Sequence, residues 1–141
     1  PYKGSGPAMT DLVAGQVQMT FSSITAALPF IKDGRLRGLA TTGDKRAAAL
    51  SNLPTIAESG FPGFDVNLWL AIFVPSSTPE DIVSRLNSEL RKALQNLEIK
   101  NSFEKVGAEP VGNTRQDAAV FIKAEFKKWA EVIKNANIKT D

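Results

Sequence analysis

The chain has 141 residues, 43% hydrophobic and 23% charged, a composition typical of folded globular proteins rather than disordered ones. It has no cysteine and no histidine, which excludes disulfides, thiol nucleophiles and the usual zinc ligands, and removes the commonest general base. A net charge of +2 gives little reason to expect nucleic acid as a partner, and no apolar run approaches the roughly 20 residues of a membrane span.

The first sixteen residues predict the end of a strand, a glycine-rich turn at Gly4 to Gly6, and a short helix that opens at Pro7. Proline suits the first helical position, and Gly15 stands where a left-handed helix stop is expected. Backbone N–H groups at such a helix start form a site for a carboxylate or phosphate. The same pattern is also ordinary α/β construction that binds nothing, and both interpretations stand at this point.

The next segments predict a second unit of the same kind. Val17 to Phe21 alternates apolar and polar residues, as a strand does, and Ser23 can cap a helix from Ile24 to Lys32 that Gly34 closes. Leu36 to Ala40 then predicts another short strand. Each predicted strand is thus followed by small polar residues.

Ligands of open α/β sheets tend to lie at the carboxyl ends of the strands. We therefore expect Gly4 to Gly6, Ser22 and Ser23, and Thr41 to Gly43 to line one crevice. The alternative for Ser22 and Ser23 is that they only cap the following helix.

The middle of the chain is less regular. Asp44 to Gly63 predicts short helical turns, with a brief helix at Pro54 to Gly60. Asp65 to Val74 is the longest apolar run, rich in β-branched and aromatic residues, and it predicts either a long, largely buried strand or two strands joined by a bend.

The remainder predicts three helices. Thr78 is expected to cap the first, which runs to about Leu97. A shorter helix follows from Glu98 to Val106 and stops at Gly107, and the last runs from Thr114 to about Asn135. Apolar residues at helical spacing in the first and last are expected to face inward: Ile82, Leu86, Leu90, Ala93, Leu94 and Leu97, then Ala118, Ile122, Phe126, Trp129 and Ile133.

Taken together, several motifs of the chain resemble the solute receptors of tripartite tricarboxylate transporters, the Bug family. They are the run from Pro1 to Phe21, Leu-Arg-Gly-Leu-Ala-Thr-Thr-Gly, Leu-Pro-Thr-Ile-Ala-Glu-Ser-Gly-Phe-Pro-Gly-Phe, Val-Pro-Ser-Ser-Thr-Pro, Gly-Ala-Glu-Pro-Val-Gly-Asn-Thr, and the run from Phe121 to Lys139. These motifs cover essentially the whole chain, in order.

The resemblance implies an α/β fold similar to type II periplasmic binding proteins, in which two lobes hold a ligand in a cleft. Because members are about twice as long, the chain is expected to be the C-terminal half of such a protein. It would comprise most of the second lobe and the C-terminal part of the first. The implied domains are a second-lobe segment at 1–66, a hinge-crossing strand at 67–75, and a helical segment at 76–141 that packs on the first lobe.

The resemblance also implies a ligand: a small carboxylate, such as a dicarboxylate, a tricarboxylate or an amino acid, bound in the periplasm for delivery to membrane permease subunits. It implies binding roles for Gly4, Ser5, Gly6 and Ala8, to which the strand-end argument adds Ser22 and Ser23. Many relatives carry an acidic residue where this sequence has Ser22, so a contact at that residue is the least supported.

No cofactor, metal ion or catalytic residue is expected, since the sequence lacks histidine and cysteine and has no calcium-loop spacing. Two alternatives remain: the effector-binding domain of a transcription regulator with the same lobes, and an enzyme using some of the carboxylates Asp11, Asp44, Glu58 and Asp65. A surface left open by a missing lobe would also favour a dimer or a domain swap.

Overall fold

The structure, a computed structural model, describes residues 2–138. This part of the chain contains five α-helices and one short 3-10 turn at Ala48–Leu50. The helices are α1 (Ser5–Val13), α2 (Ile24–Lys32), α3 (Glu80–Gln95), α4 (Leu97–Lys105) and α5 (Arg115–Asn135). The chain divides into two compact units: a larger unit of residues 2–73 and Leu97–Pro110, and a smaller unit of residues Val74–Asn96 and 111–138.

Most helix ends lie where local signals predicted them. Ser23 caps α2 by accepting the Ala26 N–H at 3.3 Å, and Thr114 caps α5. Gly15 follows α1 with a φ of 74°, and the two bonds of a left-handed helix stop run from it and Gln16 back to the helix. Gly34 and Gly107 end α2 and α4 in the same way. The prediction of these stops is confirmed.

Three local predictions were wrong. Helix α1 begins at Ser5 rather than Pro7, so Pro7 is the third helical residue; proline is tolerated there because that N–H has no intrahelical acceptor either. Thr78 does not cap α3, whose N-cap is Pro79. In the segment predicted as a brief helix, Thr55 forms an isolated bridge and residues 56–60 form turns.

The predicted strands at Val17 to Phe21, Leu36 to Ala40 and Asp65 to Val74 were also wrong. Residues 2–138 contain no strand, only an isolated parallel bridge between Thr41 and Thr55. Most of the last segment is exposed rather than buried, and only Val66 and Trp69 are half-buried. A strand exists only through ladder hydrogen bonds to a neighbour, and alternation within a segment cannot provide that neighbour.

The larger unit holds the apolar core. Its buried apolar side chains are Met9, Leu28 and Leu50. Helix α4 belongs here because Gly107, at its end, lies directly against Ile24 and close to Leu28 of α2. A Cβ at Gly107 would overlap the Ile24 methyl group, so the missing side chain permits the close approach.

In the smaller unit, polar contacts connect α3 to the start of α5. Arg115 forms a two-pronged ion pair with Glu80, Asn87 donates to the Asn113 carbonyl at 3.3 Å, and the Arg91 guanidinium donates to that of Gly112 at 3.2 Å. The Arg115 guanidinium lowers the pKa of the Glu80 carboxyl.

The apolar stripes of α3 and α5 are not buried, contrary to expectation. Most of the large members are exposed: Ile82, Leu86, Leu90, Phe126, Trp129 and Ile133. Leu94 and Ile122 are half-buried. Of the described residues in this unit, only Glu125 is buried; it accepts the Trp129 indole N–H at 3.1 Å and pairs with Lys128. An amphipathic pattern shows which face is apolar but not what covers it.

The division into two units can be compared with the expected domain boundaries, but it does not show which unit belongs to which lobe. The larger unit passes to the smaller one between Phe73 and Val74, within the predicted crossing at 67–75. Residues 97–110, expected to belong with 76–141, group with the larger unit instead. The domains at 1–66, 67–75 and 76–141 stay a prediction.

Candidate functional site

The start of α1 is open to a ligand. Its N-cap is Gly4, with a φ of 111° that favours glycine, and no side chain caps the helix. The N–H groups of Gly4, Ser5 and Gly6 precede the first intrahelical bonds, and Pro7 has none to offer. Because the first turn contains no acidic residue, the positive end of the helix dipole is not offset locally.

Contacts on both sides of this helix start hold it in place. The Tyr2 hydroxyl donates to the Asp11 carboxylate at 2.8 Å, which ties the preceding residues to α1. That hydrogen bond to the carboxylate raises the pKa of Tyr2. Met9 anchors the helix from beneath, with only 4% of its surface exposed.

The segment before α2 approaches the same place. Ser23 uses its hydroxyl to cap α2, whereas the exposed Ser22 hydroxyl has no hydrogen-bond partner within residues 2–138. The Thr20 hydroxyl donates to the Phe21 carbonyl at 3.3 Å. Capping gives the Ser23 hydroxyl a structural role in this fold, whereas the Ser22 hydroxyl has no such structural role among the described residues.

Helix α1 and the segment before α2 enclose a hollow of about 350 Å³ in the larger unit. At about 30 Å³ per water molecule, it has room for about a dozen waters. Its walls combine backbone and hydroxyl groups with apolar side chains and contain no charged residue. They are formed by Gly4, Ser5, Ala8, Met9, Thr20, Phe21, Ser22, Ser23 and Leu68.

The structure therefore brings together five of the six residues named from the sequence as ligand-binding: Gly4, Ser5, Ala8, Ser22 and Ser23. Gly6 does not line the hollow. Nor do Thr41 to Gly43, which instead bridge to Thr55 and accept the Val66 N–H at 2.8 Å. Binding roles for all six residues stay predictions.

Four wall residues were not named from the sequence: Met9, Thr20, Phe21 and Leu68. Thr20 and Phe21 could have been found, because they directly precede Ser22 at the end of a predicted strand. Met9 directly follows Ala8 on α1, so it lies next to a residue that was named. Leu68 had no local signal, since it comes from a distant part of the sequence.

Three of the carboxylates considered for catalysis, those of Glu58, Asp11 and Asp65, accept hydrogen bonds from neighbouring groups of the protein. Glu58 and Thr55 form a reciprocal capping box: the carboxylate accepts the Thr55 N–H at 2.7 Å, and the Thr55 hydroxyl accepts the Glu58 N–H at 3.0 Å. Arg46 pairs with the same carboxylate at 2.9 Å. The hydrogen bond from the Thr55 N–H lowers the pKa of the Glu58 carboxyl, and the hydrogen bond from Arg46 adds a smaller effect in the same direction.

The other two carboxylates have side-chain donors: the Asp11 carboxylate accepts the Tyr2 hydroxyl, and the Asp65 carboxylate accepts the Asn67 side-chain amide.

Residues 2–138 contain no group of three or more carboxylates placed to hold a metal ion. None of the helices in that range combines the length and apolarity needed to cross a membrane. A second hollow, of about 700 Å³, lies in the smaller unit beside the Glu80–Arg115 pair.

Comparisons with known sequences place the chain next to transport receptors. The profile of the family described as "Tripartite tricarboxylate transporter family receptor" matches residues 1–138. The chain is 39% identical to the "UPF0065 protein in clcB-clcD intergenic region" of Pseudomonas knackmussii, covering all of this chain and 84% of that protein. It is 37% identical to "Protein BugT" of Bordetella pertussis, over 99% of this chain and 43% of BugT.

Solved structures give the same picture. "R. palustris Rpa4515 with adipate" matches 98% of this chain with a TM-score of 0.89 and 39% identity. "MatC (Rpa3494) from Rhodopseudomonas palustris with bound malate" matches 94% with a TM-score of 0.81 and 31% identity. "Structure of periplasmic binding protein BugD" matches 100% with a TM-score of 0.87 and 32% identity. The chain spans under half the length of each of these three structures.

Proposed function

The chain belongs to the tripartite tricarboxylate transporter receptor family, and from this we propose that the protein binds a small carboxylate as the extracytoplasmic receptor of such a transporter. The observation that carries the proposal is the uncapped start of α1 beside the hollow. There the N–H groups of Gly4, Ser5 and Gly6 offer donors to an anion without a charged side chain.

The similar structures support a carboxylate as the ligand class. Rpa4515 was solved with adipate and MatC with malate, and both match nearly the whole of this chain. A periplasmic location is supported by the same comparisons, since BugD is described as a periplasmic binding protein. The membrane permease partner rests on the family description alone.

We also propose that the protein binds its ligand without turning it over. The sequence contains no histidine or cysteine to act as base or nucleophile. Glu58 and Asp11 are engaged in contacts that stabilise the fold. The family match is to transport receptors rather than transcription regulators, which makes the receptor the preferred function.

The lobe assignment extends this proposal. The larger unit would belong mainly to the second lobe and the smaller unit to the first, with the crossing at 67–75. The observation in support is that the units divide at Phe73 and Val74. Full affinity would then require the rest of a two-lobed receptor, and the 141-residue chain alone is expected to bind carboxylates weakly, above micromolar concentrations.

The test is an NMR titration of the 15N-labelled chain with adipate and with malate. Carboxylate binding is expected to shift the amide resonances of Gly4, Ser5 and Gly6, and to leave those of α5 unchanged. If no carboxylate moved these amides at millimolar concentration, the proposed site would be wrong.

Two variants sharpen the test. Ser5→Pro removes one donor at the first helical position, where proline is well accepted, and Ser5→Ala removes only the hydroxyl. A hydrogen bond to a charged group contributes about 1.5–3 kcal/mol, so Ser5→Pro is expected to weaken binding about tenfold or more relative to Ser5→Ala. Equal affinities for the two variants would contradict a role for this N–H group.

A further inference from the structure

We propose that the hollow of the larger unit selects carboxylates that have an apolar body and no ammonium group. This inference rests on the proposed function and goes beyond it, because the family and its similar structures do not fix the ligand of this chain. It follows from what the nine wall residues contain and from what they lack.

The walls lack any negatively charged group that could pair with an ammonium ion. None of the nine residues is an aspartate or glutamate. Asp11, on the same helix, is not among them and already accepts the Tyr2 hydroxyl. An ammonium group that leaves water without a carboxylate partner loses its hydration uncompensated. The positive end of the α1 dipole also repels a cation held beside the bound carboxylate.

The remaining wall is apolar and open. Phe21 and Leu68 are 72% and 77% exposed, so their apolar surfaces are available to a ligand, and the buried Met9 lines the same hollow. A ligand whose carboxylate lies at the start of α1 can cover these surfaces with a hydrocarbon chain or ring. Removing their apolar area from water favours binding in proportion to the area covered.

The polar groups that do line the hollow are suited to the anion. The hydroxyls of Ser5 and Ser22 are donors for carboxylate oxygens, and Ser22 has no partner in the described part of the chain. A hydroxyl can accept from an ammonium group, but it carries no charge to compensate that of the cation. Selection against the ammonium group is therefore electrostatic rather than steric.

The experiment compares three ligands by NMR titration of the 141-residue chain: hexanoate, 2-aminohexanoate and acetate. The first two share a carbon chain and differ in the ammonium group, whereas acetate lacks the apolar body. We expect hexanoate to bind about tenfold more tightly than either, a difference of about 1.4 kcal/mol. If 2-aminohexanoate bound as tightly as hexanoate, the inference would be overturned and the proposed function would stand. If no ligand shifted the α1 amides, both would fall.

A second experiment adds a negative charge to the wall of the hollow. Ser22→Asp is expected to reverse the preference, improving 2-aminohexanoate and weakening hexanoate. Ser88→Asp makes the same charge change on the other hollow, in the smaller unit, and is expected to alter neither affinity. Both serines are exposed, so neither change disturbs the core. An unchanged preference in Ser22→Asp would overturn the inference.

The apolar wall is tested separately. Leu68→Asn keeps the size of the side chain and removes its apolar character. Hexanoate binding is expected to weaken about threefold to tenfold, whereas acetate, too short to cover this wall, is expected to bind unchanged. Equal losses for the two ligands would show that Leu68 supports the site without contacting an apolar ligand body.

Discussion

At the scale of single residues, two polar pairs fix the loops and helix ends of the larger unit. Thr55, only 1% exposed, exchanges hydrogen bonds with Glu58 across one turn, and its backbone bridges to Thr41. Tyr2 and Asp11 join the first described residues to α1. Both pairs hold the backbone in position and neither is placed to contact a ligand. Removing either pair is therefore expected to lower the free energy of unfolding more than it lowers ligand affinity.

Thr55→Val is expected to lower the free energy of unfolding by about 1 kcal/mol, because the buried shape is kept while the acceptor for the Glu58 N–H is lost. Thr78→Val is a matched control, since Thr78 does not cap α3, and it is expected to stay within about 0.5 kcal/mol of the wild type. Urea unfolding followed by circular dichroism measures both. Equal losses would show that the Thr55 hydroxyl contributes nothing specific.

Tyr2 is the only tyrosine, so the ultraviolet absorbance of phenolate reports its ionisation alone. Because the Asp11 carboxylate accepts its proton in a hydrogen bond, the pKa of Tyr2 lies above its usual 10.0. Asp11→Ala is expected to return it toward that value. A raised pKa means that the contact stabilises the fold fully below about pH 10 and that this contribution is lost as the pH rises through the folded-state pKa. An unchanged titration curve in the variant would contradict the pairing.

At the scale of elements, the helix stops differ in what surrounds them. Gly15 has open space where a Cβ would be, whereas Gly107 lies against α2. Both have a positive φ, so alanine is strained at either position. Only at Gly107 does a side chain also force α2 and α4 apart.

Gly15→Ala is therefore expected to destabilise the chain by about 1 kcal/mol, and Gly107→Ala by about 2–5 kcal/mol, since overpacking adds to the backbone strain. Chemical denaturation of the two variants under the same conditions gives the comparison. A cost at Gly107 no greater than that at Gly15 would mean that α4 does not pack on α2 as the structure shows.

The elements also show what sequence could and could not predict. Helix ends at Ser23, Gly34 and Gly107 were predictable because a cap or a left-handed stop depends on a few neighbouring residues. Strand pairing was not, because it depends on a distant segment. The walls of the hollow combine both cases. Ser5 lies in a predicted glycine turn and Ser22 directly after a predicted strand, so each had a local signal, whereas Leu68 reaches the hollow only through the fold.

At the scale of the whole molecule, the two units differ in their cores. The larger unit buries Met9, Leu28 and Leu50, whereas no large apolar side chain described in the smaller unit is buried. Burial of apolar area is the main favourable term in folding. The two units should therefore differ in local stability.

Hydrogen exchange measured by NMR on the 141-residue chain is expected to show this difference. Amides of α2 should exchange at least about tenfold more slowly than those of α3 and α5, because opening α2 exposes the core and opening the others exposes little. Equal protection of α2 and α5 would show that the smaller unit is stabilised by something other than its buried side chains.

The exposed run from Leu68 to Val74 has a consequence for the behaviour of the chain in solution. It is uncharged, β-branched and aromatic, contains no proline and makes no strand within residues 2–138, which are the features of segments that assemble into amyloid-like fibrils. Leu70, 94% exposed, lies at its centre. Leu70→Lys is expected to slow aggregation, measured by light scattering of concentrated samples, without loss of helical content. A charge there leaves the ligand hollow intact, because the wall residue of this run is Leu68 and not Leu70.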